Sequence, residues 1–65
     1  MINYSNKQKN INEAYISTAD LLTSLYPEGV PIARLRVLMS DTKDYLTQEE
    51  IDIAENMTKE KYNII

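Results

Sequence analysis

Few side chains in this 65-residue chain could do chemistry, and they are of restricted type. There is no Cys and no His, which removes thiolate nucleophiles, imidazole bases, disulfides and the usual ligands of transition metals. Carboxylates, hydroxyls, amines and guanidinium groups remain. Oxygens gather at Asp41 with Asp44 and at Glu49, Glu50 and Asp52. Neither set has the alternating spacing of a calcium loop, and solvated charge at helix termini accounts for both. The Ser and Thr hydroxyls have no imidazole to activate them. Five tyrosines, Tyr4, Tyr15, Tyr26, Tyr45 and Tyr62, could form a stacking platform for single-stranded nucleic acid. Three of them, Tyr15, Tyr26 and Tyr62, fall on faces that read as apolar, so packing with the hydroxyl reaching water is expected instead. The inventory therefore points away from an enzyme and away from any cofactor or metal.

Arg34 and Arg36 are the two arginines of the sequence. They lie in the segment Leu21–Met39, which can be read as a helix-turn-helix whose second helix carries both cations. Two helical positions correspond to about 200° around the axis, so the pair should point to opposite flanks and one would miss the base edges. The remaining bases, Lys7, Lys9, Lys43, Lys59 and Lys61, are scattered through a chain of net charge −3. Duplex binding depends on cations concentrated against phosphates. Nucleic acid is therefore not the expected partner, and a small DNA-binding regulator using Arg34 and Arg36 is the alternative reading.

The elements that must position these groups follow from capping and periodicity. Residues 1–9 show no period and read as a flexible arm. Asn10 with Glu13 suggests a helix start, and Ile11, Tyr15, Leu22 and Leu25, widened by Ala14, Ala19, Leu21 and Tyr26, make an apolar stripe that predicts a helix over 11–26. Pro27-Glu28-Gly29-Val30-Pro31 ends it, and Pro31 suits the first turn of a second helix. That helix spans 31–42, with Ile32, Leu35, Leu38 and Met39 on one side, its apolar pattern lost over Ser40–Asp44. Thr47 with Glu50 forms a capping box, Leu46 and Ile51 a hydrophobic staple, and a third helix is predicted over 47–62. Along it Ile51, Ala54, Met57 or Thr58, Tyr62 and Ile65 share a face, while Glu49, Asp52, Glu55, Asn56, Lys59 and Glu60 stay wet. Asn56 and Thr58 compete for helical hydrogen bonds and invite a break there. The expected fold is all-α, a single three-helix domain over 10–65.

Gly29-Val30-Pro31-Ile32-Ala33-Arg34-Leu35-Arg36-Val37-Leu38-Met39, followed by Leu46-Thr47-Gln48-Glu49-Glu50-Ile51-Asp52, resembles the exiting helix, linker and next entering helix of a calmodulin-like EF-hand lobe. The resemblance runs from Glu13 to about Tyr62. Aligned on Leu35, the oxygen-ligand positions of the loop fall on Thr23, Leu25, Pro27 and Arg34, which could not hold calcium. What the resemblance implies is a metal-free lobe whose groove takes a partner helix.

Size bears on the same point. A chain this short buries only about 60% of the surface its unfolded form exposes, and its core rarely supplies more than about 3–5 kcal/mol. A partner surface is expected, provided by another protein or by a second copy, against Leu22, Leu25, Tyr26, Leu35, Leu38, Met39 and Ile51. No apolar run approaches the ~20 residues of a membrane span, and the N-terminus lacks the apolar core of a signal peptide. The expectation is a small acidic cytoplasmic regulator, inhibitor or adaptor acting by protein contact.

Overall fold

The computed structural model describes residues 3–65. Three α-helices, α1 (Asn6–Leu25), α2 (Ile32–Leu38) and α3 (Gln48–Lys61), run in that order, with a 3-10 turn at Ser40–Asp44 between the last two. The domain is all-α as its periodicity predicts. Among the described residues the one strand-like pairing is an isolated parallel bridge between Val30 and Ile64. No helix among them is long and apolar enough to cross a membrane.

The first helix starts earlier than its apolar stripe suggests. Ser5 is the N-cap, its hydroxyl accepting the Gln8 N–H at 3.1 Å, and Asn10 lies exposed within the helix. Residues 6–9 are thus helix rather than arm; the first two residues of the expected arm lie outside the described residues. The reason is partly local, in that Ser-x-x-Gln cap, and partly tertiary. Gln8 Nε2 donates to Asn12 Oδ1 at 2.9 Å and to the Glu50 carbonyl at 3.0 Å, and Asn12 Nδ2 contacts Met57 Sδ at 2.9 Å. Amides that look solvated in the sequence are buried here and paid for by α3, because a buried amide is tolerated only when hydrogen-bonded. At the other end Tyr26 leaves helical space at φ −127° and ψ 70° before Pro27.

The second helix is shorter than expected, ending at Leu38 with Met39 as its C-cap. The Thr42 hydroxyl donates to the Met39 carbonyl at 2.6 Å, and the Thr42 N–H bonds the same oxygen at 3.0 Å. Local side-chain bonding of this kind competes with the helical ladder and tightens the chain into 3-10 geometry. The third helix begins as its capping box requires. Thr47 Oγ1 accepts the Glu50 N–H at 3.2 Å, and Glu50 Oε1 accepts the Thr47 N–H at 2.9 Å. It continues without a break to Lys61, because the buried Thr58 hydroxyl bonds the Ala54 carbonyl of its own helix at 2.7 Å.

Ile11, Tyr15, Ala19 and Leu22 of α1 form the centre of the core with Val30, Leu35, Met39, Ile51 and Ala54. Ala19 and Ala54 are both wholly buried, and such small side chains let α1 and α3 approach closely. The molecule is a slab of 32 × 28 × 15 Å. The segment after α3 folds back along the start of α2. Val30 N–H donates to the Asn63 carbonyl at 2.8 Å, Ile65 N–H to the Val30 carbonyl at 2.8 Å, and Ile32 N–H to the Ile65 carbonyl at 2.7 Å.

Candidate functional site

The seven residues expected to meet a partner divide by depth. Leu22, Leu35, Met39 and Ile51 are buried, Leu22 also lining the groove between α1 and α2; periodicity reports the side a residue faces, not how deep it sits. Leu25 and Leu38 are 73% and 58% exposed, and Tyr26 is half-buried beside them. Val37 and Leu21, neither of them among the seven, are exposed as well, at 61% and 73%, although Leu21 widens the predicted stripe of the first helix. The signal for them is their displacement from the buried stripe. Leu21 and Leu25, four residues apart on α1, sit beside the line through Ile11, Tyr15, Ala19 and Leu22, and α2 fully buries only Leu35, with Ile32 partly buried against the core.

Leu25, Tyr26, Val37 and Leu38, with Leu22 and Arg34, line a groove between α1 and α2 of about 210 Å³. Beyond Leu25 and Tyr26 it continues into a hollow of about 310 Å³ that reaches Pro27, Glu28, Gly29 and Ile65. Gly29 is wholly committed there: its φ is +148°, and a Cβ at this position would lie 3.0 Å from Ile65 Cδ1 and 3.2 Å from Asn63 Nδ2.

The two arginines part company. Arg34 lines the groove and makes no ion pair among the described residues. Arg36 reaches the other way to α3, its Nε donating to Glu55 Oε2 at 2.9 Å and its terminal nitrogen to Glu55 Oε1 at 3.0 Å. This overturns the expectation that Glu55 stays wet, since it is 6% exposed and enclosed by the pair. The Glu55 hydrogen bonds hold the Arg36 guanidinium above its ordinary pKa, the same carboxylate's charge adding to the effect. Burial pushes the nearby Tyr15 hydroxyl up as well; Glu55 reinforces this, while Thr42 and Arg36 oppose it. On that flank Arg36, Lys43, Gln48, Ile51 and Glu55 surround a hollow of about 290 Å³. Its polar groups are largely engaged with one another or with neighbours, Arg36 with Glu55 and Gln48 with Asp52 at 2.9 Å, so it offers less unspent interaction than the apolar groove.

The acidic groups serve local ends. Glu50 closes the capping box and lies 3.4 Å from Lys7. Its carboxyl is held below the usual range chiefly by the Thr47 N–H, which outweighs desolvation, with Lys7 adding to the lowering. Among the described residues no three acidic side chains converge as a metal site. Tyr62 donates its hydroxyl to Asp20 Oδ1 at 3.2 Å, and desolvation with that acidic partner raises its pKa. Compared with known protein families, with curated proteins and with solved structures, the chain finds no match.

Proposed function

We propose that this chain is a small acidic regulator or adaptor that works by protein contact, with the groove between α1 and α2 as its binding surface. The observation that carries this reading is the clustering of Leu25, Val37 and Leu38, each more than half exposed, around one depression. Full burial of such a side chain is worth about 1.5–3 kcal/mol, a large quantity for a domain whose own core supplies about 3–5 kcal/mol. Contiguous apolar patches of this kind mark interaction sites, and a groove between two helices suits an apolar helix face anchored at positions three and four apart. The occupant is another protein or a second copy of the chain. The unpaired Arg34 at the edge of the groove supplies the polar rim that fixes orientation.

A photoreactive amino acid at Val37, with a control at Lys59 on the exposed part of α3, tests this in the cells that make the protein. Cross-links from position 37, lost when Leu25→Asp is added, are the expected result. Cross-links from position 59 alone would refute the groove as the binding surface.

A further inference from the structure

We infer that Asn63–Ile65 is a releasable strap that opens together with α2 as one unit, so that the groove exists only while the strap is engaged. This device belongs to the fold and operates whatever the groove binds. At seven residues α2 makes about two turns, and isolated helices shorter than about 12–15 residues are marginal in water. Its start has no local support, because Pro31 at the N-cap makes no side-chain hydrogen bond. The strap supplies that support. The Ile32 N–H, the first of the helix, donates to the Ile65 carbonyl at 2.7 Å, while Val30 donates to the Asn63 carbonyl and accepts from the Ile65 N–H, both at 2.8 Å.

The strap has little else to hold it. Asn63 and Ile65 are exposed, Ile64 of the three packs against the core, and a further bond runs from Asn63 Nδ2 to the Glu28 carbonyl at 3.0 Å. Each part therefore depends on the other. With the strap away, α2 loses the acceptor at its first turn; with α2 away, the strap loses its partners at Val30 and Ile32. Segments linked in this way open together, below the free energy of global unfolding. The pivot is Tyr62, which caps α3 and is fixed to α1 through Asp20 at 3.2 Å. Opening parts Arg36 from Glu55 and returns both to water, uncovers Val30, Leu35 and Met39, and removes the wall of the groove that Arg34, Val37 and Leu38 make. The seam of α1 with α3 survives. Its hydrogen bonds, from Gln8 to Glu50 and from Asn12 to Met57, involve neither α2 nor the strap.

Native-state hydrogen exchange, followed residue by residue by NMR on the full chain, tests the proposal. The amides of Val30, Ile32, Leu35, Met39 and Ile65 should share one opening. It should be about tenfold or more frequent than the opening that exposes Tyr15, Ala19, Ala54 and Thr58, and should depend less steeply on urea. Arg36→Ala then tells one unit from two. It removes an α2 contact that a strap fraying alone would leave in place, so exchange at Val30, Ile32 and Ile65 should rise about fivefold, by the same factor as at Leu35 and Met39. Arg36→Lys, a milder change, makes the same comparison if the alanine variant unfolds. Ile64→Asp should hold the unit open, with α2 unprotected and Ala19 and Ala54 still protected. A single rate for all of these amides overturns the proposal. So does a strap whose exchange ignores both Arg36 substitutions, or an Ile64→Asp chain that keeps α2 protected or loses every helix at once.

Discussion

The two flanks of α1 are built to different standards. Against α3 it is sealed: Tyr15, Ala19, Ala54 and Thr58 are essentially without exposure, and Gln8 and Asn12 find partners on the other helix. No buried side-chain nitrogen or oxygen among the described residues lacks a hydrogen bond. Against α2 it is open, with Leu35 wholly buried and Val37 and Leu38 left in water. Length explains much of the contrast. Fourteen residues in α3 give four turns to lay along α1, whereas seven in α2 give about two. A helix that short buries one side chain deeply and presents the next turn outward, so the fold's weakest packing coincides with its most apolar surface.

The sharpest way to break this contrast is to truncate one leucine on each side of it. Leu35→Ala should cost about 2–5 kcal/mol, comparable with the whole stability of a domain this size, and leave the chain largely unfolded at 25 °C by circular dichroism. Leu38→Ala, at an exposed position, should stay within about 0.5 kcal/mol in urea titrations. Equal losses would erase the distinction between core and groove. The arginines give a second test. Arg36→Ala strands a buried carboxylate and should cost about 1–3 kcal/mol, toward the lower figure because Arg36 itself is half exposed. Arg34→Ala should leave the isolated chain's stability within about 0.5 kcal/mol.

Gly29→Ala probes the hinge between the flanks. With φ at +148° and Ile65 in the way of a Cβ, it should destabilise by about 1 kcal/mol or more, with faster hydrogen exchange at Val30, Ile32 and Ile65. The smallest effect belongs to the sealed side. The folded-state pKa of Glu50 lies below its ordinary 4.5, so its contribution is present above that pH and is lost as pH falls through the depressed value. The difference in melting temperature between the wild type and Glu50→Gln should therefore shrink from about pH 4.5 downward. A difference independent of pH would remove ionisation of Glu50 from the account.

Local signals in the sequence foretold the local parts of this structure. Thr47 and Glu50 announce their capping box within four residues, and Pro27 to Pro31 marks the turn between two helices. What escaped depends on distance. The early start of α1 has a local signal, Ser5 three residues before Gln8, whereas the shelter that Glu50 and Met57 give Gln8 and Asn12 has none. Glu55 reads as a solvent-facing acid until α2 brings Arg36 over it. For the groove, Leu25, Tyr26 and Leu38 were legible as apolar positions, but Leu22 and Leu38 carry the same pattern and only the short reach of α2 separates buried from bare. Leu21 was legible as a widening of the stripe but not as exposed, and Val37 gave no signal of its own.

The pairing of Val30 with Asn63 and Ile65 also sets an order of events. Those partners lie more than thirty positions later in the chain, whereas the bonds that shape α1 and the cap of α3 span three or four residues. During synthesis α1 can wind as soon as it emerges. The start of α2, by contrast, has an unanswered N–H and carbonyl at Val30 until residues 63–65 are made and a long loop is closed. The groove thus assumes its final shape last, after α3 is complete, and a nascent chain carries its two apolar walls before it carries the tie that sets them side by side.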